Sequence, residues 1–214
     1  MRPVNRGLYL SEAERDSCGI GFVAHIKGKK SHSIISKGLE ILCNMSHRGA
    51  EGADSKTGDG AGIMIQVPRD FYLIQGYALP PAGCFGTGII FLPADPADAE
   101  ACEGIFKDII LEEGLKISGY RDIPRNNSVL GEVALSTEPF MKQIFIEGDL
   151  QDSDLERKLY IIRKRTEKQI RESSINQKDY FYIPSLSTRV LIYKGMLTSH
   201  QLKDYYYDLQ DERM

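Results

Sequence analysis

The 214-residue sequence has no tryptophan, no C-x-x-C cysteine pair and no apolar run near the length of a membrane span. A transmembrane helix needs about 20 consecutive apolar residues, so no membrane is expected as a partner. The four cysteines, Cys18, Cys43, Cys84 and Cys102, lie far apart, which excludes zinc-ribbon spacing. Nor do the four histidines, His25, His32, His47 and His200, fall into an H-E-x-x-H pattern. A formal net charge of -3 gives no reason to expect nucleic acid as a partner. The opening residues "MRPVNRGLYLSEAERDS" lack an apolar h-region and are not a secretory signal. A reducing, cytoplasmic compartment with free thiols is the expectation.

What is present is the composition of a globular protein, 42% hydrophobic and 27% charged, long enough for one sizeable domain. The segment "GIGFVAHI" alternates like a strand, and "SIISKGLEILCNM" (33–45) places Ile35, Leu39 and Leu42 on one helical face. Glycine and small polar residues then crowd "SHRGAEGADSKTGDGAG", which predicts a loop. Strands are expected at "GIMIQV" and "GTGIIFLP". The pair Asp95-Pro96 opens a helix whose apolar face carries Cys102, Ile105, Phe106, Ile109 and Ile110. Further strand patterns follow at "GEVALS", "KQIFIEG", "YFYIPSLS" and "RVLIYKG". Between them, Ser153 to Glu156 reads as a capping box opening a long helix with Leu155, Leu159, Ile162 and Ile170 inward. Strands arriving in hairpin-like succession, without regular βαβ alternation, predict an α+β fold with largely antiparallel sheets.

Few motifs carry chemistry. "TGDGAG" lacks the G-K-[ST] ending of a P-loop, so a tight turn needing positive φ at Gly58, Gly60 or Gly62 explains it better. The basic run "RKLYIIRKRTEKQIR" interleaves with an apolar helical stripe and reads as a solvated face. Cys43 and Cys102 fall in helical apolar patterns as small core residues, and Cys84 falls in a loop. His47 beside Arg48 reads as a hydrogen-bonded structural residue or as a neighbour of chemistry. Cys18 differs from the other cysteines because it stands at the threshold of a strand pattern, behind a polar leader. Two readings remain open for it. It is a small buried residue, or it is a nucleophile exposed by removal of Met1–Ser17. In the second case its own α-amino group, with a reference pKa near 7.7–8.0, serves as the general base.

Several stretches together decide more than any one of them. They are "ERDSCGIGFVAHIKG", "KGLEIL", "HRGAEGADSKTGDGAGIMIQVP", "LYIIRKRTEK", "FYIPSLSTRVLIYKGML" and "YYYDLQDERM". In combination they resemble the N-terminal type-2 glutamine amidotransferase (Ntn) domain of the glutamate synthase large subunit. The resemblance implies a four-layer αββα fold with largely antiparallel sheets. It implies a propeptide-like leader at 1–17 and the N-terminal portion of the amidotransferase domain at 18–214. By position Cys18 is the nucleophile that attacks the glutamine side-chain amide, with Arg48 and Gly49 supporting the site. The family pattern continues past "DLQDER" into a substrate-binding arginine and an Asn-Gly oxyanion pair. Neither motif occurs in this sequence, so a domain incomplete at its C-terminus is expected. The implied activity is hydrolysis of glutamine to glutamate and ammonia through a cysteine thioester. The alternative is a catalytically incomplete or split-gene piece that docks with the rest of the enzyme. The implied partners are glutamine and the synthase domain or a complementary chain. No cofactor is expected in this chain, while FMN and an iron–sulfur cluster are implied for the full-length enzyme.

Overall fold

The computed structural model describes residues 18–49, 54 and 56–214; the leader-like stretch 1–17 lies outside them. Among the described residues, helices and strands mix, and every strand ladder is antiparallel. The α+β expectation holds.

The larger sheet has the order β2–β4–β3, formed by β2 (Phe85–Leu92), β4 (Phe140–Glu147) and β3 (Lys116–Asp122). Its period-2 alternation sorts side chains to two cores. Ile90, Leu92, Ile144 and Ile146 face α3 (Pro96–Glu112) and α5 (Asp152–Glu172), where Cys102, Phe106, Leu155 and Leu159 complete a dry layer. Full burial of a side chain such as Leu159 is worth about 1.5–3 kcal/mol of transfer free energy. The start of α3 follows the sequence chemistry, because Asp95 Oδ1 accepts from both Ala97 N and Asp98 N at 3.0 Å, with Pro96 in the first turn. The basic face of α5 is tied to its neighbours. Lys158 and Arg165 both donate to Glu113 at the end of α3, and Arg163 donates to the Pro184 carbonyl.

On the opposite face of the sheet, Phe85, Ile89, Phe91, Met141 and Phe145 enter a second core. It is shared with the two-stranded sheet of β1 (Ala61–Gln66) and β5 (Val190–Gly195), and with α1 (His32–Asn44), α2 (Arg69–Ile74) and α6 (Gln201–Tyr205). Helix α1 contacts β1, β5 contacts β2, and α5 contacts β2 from the far side. This helix–sheet–sheet–helix succession is consistent with the αββα layering. A buried polar network bridges the two sheets. Arg121 of β3 donates to both Asp208 oxygens, at 2.7 and 2.6 Å, and Tyr193 of β5 donates to the same carboxylate at 2.8 Å. Gln143 of β4 accepts from Arg121 and donates to Tyr72 and Thr87.

Several expectations are corrected. The segment "GIGFVAHI" forms no ladder, and Ile20, Phe22 and Ile26 are exposed; a strand needs a hydrogen-bonding neighbour that the described residues do not supply. "GEVALS" is helix α4 (Glu132–Ser136), started by Gly131, because so short an apolar alternation also fits one helical turn. "YFYIPSLS" makes only isolated bridges, Phe91 to Tyr182 and Thr87 to Ser187, since Pro184 between them has no N–H to donate. The capping box is not used. α5 begins at Asp152 with Gln151 as its flanking residue, and the Glu156 carboxylate accepts instead from Ser187 Oγ, Thr188 N and Thr188 Oγ1. Strand β3 has no counterpart in the sequence reading, because its charges and its register shift at Ile117/Gly119 break the alternation.

Candidate active site

Cys18 is exposed, and the segment that follows it runs over α1. A Cβ at Gly21 would clash with Ile41 Cγ2 and would lie 3.7 Å from Met45 Cε. Two residues later, Val23 Cγ1 is 3.9 Å from the corresponding position on Gly38. The segment therefore runs from the C-terminal end of α1 towards its middle, and glycine at 21 permits the close approach. Cys18 is three residues upstream of Gly21, a reach of at most about 11 Å. Gly21, not the thiol itself, is what packs near the end of α1 from which the 3-10 turn Ser46–Arg48 and Gly49 continue. The backbone of Arg48 closes that turn through Gly49 N donating to Ser46 O at 3.1 Å; the Arg48 side chain lies outside the described residues. Gly49 has φ -88, so its use is not a left-handed backbone. His47 is exposed in this turn.

The glycine loop packs under the same turn. The Asp54 carboxylate accepts from Thr57 Oγ1 and Lys56 N, both at 2.7 Å, and these bonds, the Thr57 hydroxyl first, hold its pKa below the ordinary value. Gly60 adopts φ +137, the one positive value among the three glycines proposed for the turn. Gly58 is required for a different reason, since a Cβ there would collide with the backbone carbonyl of Leu197. Next to it, Asp59 Oδ1 lies 3.5 Å from where a Gly49 Cβ would be. Sequence reasoning missed Asp54, Asp59 and Gln201 as parts of this assembly; only the density of small polar residues marked it.

Cys102 and Cys84 are placed as expected, whereas Cys43, read as a core residue, is only partly buried near the end of α1. Cys102 is fully buried, and burial pushes its thiol up to about 11. Burial also raises the Cys43 thiol, which lies 3.8 Å from the Ser199 carbonyl, and Cys84 sits in the turn before β2. Among the described residues no three His, Cys, Asp or Glu side chains converge to hold a metal ion. The dispersed thiols do not fit an iron–sulfur cluster. No helix among the described residues is long and apolar enough to cross a membrane.

Facing antiparallel sheets clasped by helices are consistent with an Ntn-type amidotransferase domain. The profile of the class-II glutamine amidotransferases matches residues 18–214, and the chain belongs to that family. The chain is 40% identical to the large chain of NADPH glutamate synthase from Bacillus subtilis, over 98% of its own length and 14% of that protein. The corresponding chain from Azospirillum brasilense is 44% identical over 96% of this chain and 14% of its own length. The chloroplastic ferredoxin-dependent glutamate synthase of Oryza sativa subsp. japonica is 39% identical over 99% of this chain and 13% of its own. The chain thus spans about one seventh of the length of these curated relatives.

Proposed function

We propose that this chain is the glutaminase portion of a glutamate synthase, with Cys18 as nucleophile. The reading is supported by one observation: the match to the class-II glutamine amidotransferase family begins at Cys18, and that cysteine is exposed. The reaction needs Cys18 to be the first residue of the active protein, so that its amine is free. The α-amino group takes the thiol proton, and the thiolate adds to the side-chain carbonyl carbon of glutamine. The resulting tetrahedral oxyanion needs fixed donors. As it collapses, the C–N bond breaks, and the ammonium proton passes to the departing amine, which leaves as ammonia. Water then adds to the γ-glutamyl thioester, the C–S bond breaks, and glutamate and the free thiol are restored. The ammonia passes to a synthase partner, which would also house the FMN and iron–sulfur chemistry. The compartment is the cytoplasm, where the four cysteines remain thiols.

The test is ammonia release from glutamine combined with intact-mass measurement. Active protein should begin at Cys18, and Cys18→Ala should abolish turnover while circular dichroism is unchanged. Full activity in protein that retains Met1–Ser17, or in the alanine variant, would overturn the assignment.

A second reading is favoured by the exposure of Ile20, Phe22 and Ile26 at 92%, 89% and 102%. On this reading the chain is catalytically incomplete and acts only when docked with the rest of the enzyme, which covers that apolar edge. Adding the remaining polypeptide as a separate chain would then restore turnover. Equal turnover with and without it rejects this second reading.

A further inference from the structure

A side chain from a distant part of the sequence helps to hold the glycine loop that follows the Arg48–Gly49 turn. Gln201, in the first turn of α6, accepts from Thr198 N at 2.8 Å through Oε1. Its Nε2 donates to the Lys56 carbonyl at 2.7 Å and to the Val129 carbonyl at 2.6 Å. The amide can face only this way, because a flipped Gln201 would point its oxygen at two carbonyls and its NH2 at an N–H. Lys56 O also accepts from Gly131 N at 3.2 Å. The loop is thereby fixed against α6, α4 and the turn at Leu197, where Gly58 leaves no room for a Cβ. The next residue is Asp59, whose Oδ1 lies 3.5 Å from where a Cβ on Gly49 would stand. Gln201 therefore anchors one end of a short run of neighbours, Lys56, Gly58 and Asp59, that leads to the Arg48–Gly49 turn.

We propose that Gln201 is a positioning residue for the glutaminase reaction: by clamping Lys56 it sets the height of the Gly58–Asp59 segment, and through it the Arg48–Gly49 turn. The inference rests on the reading of Cys18 as the nucleophile. Gln201 touches neither substrate nor thiol, and its effect is carried by backbone placement. Displacements near 1 Å remote from the reacting atoms are enough to slow an oriented attack about 100-fold. Leucine at 201 keeps much of the volume and loses the donors and the acceptor. Alanine at 58 pushes the loop from the other side by colliding with Leu197, without touching Gln201.

The experiment compares alkylation of Cys18 by two probes in the protein expressed from its natural gene. The diazoketone analogue of glutamine reports an assembled site, and iodoacetamide reports thiol exposure alone. In Gln201→Leu and in Gly58→Ala, the analogue rate at Cys18 should fall about 10- to 100-fold while the iodoacetamide rate stays within about twofold of the parent. A merely structural peg would lower the melting temperature, and would open Cys43 and Cys102 to both probes without changing the ratio at Cys18. An unchanged ratio in both folded variants overturns the inference. If the parent protein itself shows no preference of the analogue for Cys18 over the other thiols, it is the nucleophile reading that fails, not the clamp alone.

Discussion

Replacing Asp208 by alanine should destabilise the protein more than any surface change. Asp208 is 3% exposed and Arg121 4%, so neither charge has water to fall back on. Deleting the carboxylate removes the acceptor of two guanidinium bonds and of the Tyr193 hydroxyl. Only the Gln75 and Gln143 side-chain oxygens then remain to the guanidinium, the latter at 3.3 Å. Breaking one half of a buried ion pair costs about 3–5 kcal/mol, because the surviving charge stays buried and uncompensated. Against a typical total of 5–15 kcal/mol this is a large fraction. With a slope of about 2–3 kcal/mol per molar urea, the midpoint should drop by roughly 1–2.5 M. Replacing both partners, Arg121→Met with Asp208→Leu, should cost clearly less than the sum of the single changes, since no orphaned charge remains. Urea unfolding followed by far-ultraviolet circular dichroism measures all of these. A loss below about 1 kcal/mol in Asp208→Ala, or additivity within about 0.5 kcal/mol in the double variant, would refute the argument.

Three further expectations follow from local geometry. Iodoacetamide at pH 8 to 9 should label Cys18 and spare Cys102; burial raises the Cys102 thiol to about 11, so the fold disfavours its thiolate and stability declines as pH rises above the unfolded thiol value of about 8.5. Labelling of Cys102 at the rate of Cys18 in folded protein would contradict this. In acid, Glu113 should matter: bonds from Lys158 and then Arg165 lower its pKa, so its contribution is present above the unfolded value near 4.3 and is lost as pH falls through the depressed folded value. The urea midpoint of Glu113→Gln should therefore vary less between pH 5 and pH 3 than that of the parent, and equal slopes would count against the clasp. Gly88→Ala should destabilise by about 1–3 kcal/mol, because its Cβ would collide with the Ser185 carbonyl, whereas Gly104→Ala on the open face of α3 should stabilise by about 0.5–1 kcal/mol. Melting curves of the pair that moved in the same direction would show that the Cβ geometry does not govern these positions.

Much of this architecture is local and was legible in the residues. The start of α3 at Asp95-Pro96 is set by chemistry within three residues, and its apolar face repeats at helical spacing, so no distant contact was needed to read it. The same holds for α1 and for β2, whose pattern is carried by short-range periodicity. Cys18 and the Arg48–Gly49 pair were legible as a motif, while the packing of the segment after Cys18 on α1 was not, because it depends on Gly21 meeting Ile41. The tertiary structure alone decided where alternation becomes a strand. "GIGFVAHI" and "GIMIQV" both show apolar repeats, yet only the second finds a ladder, with Val190–Gly195, more than a hundred residues away. It alone also diverted Glu156 from the start of α5 to the Ser187–Thr188 turn, and brought Gln201 to the glycine loop. Helix caps and periodicity are settled by neighbours in sequence; ladders, buried ion pairs and loop clamps require groups that only the folded chain brings within hydrogen-bonding distance.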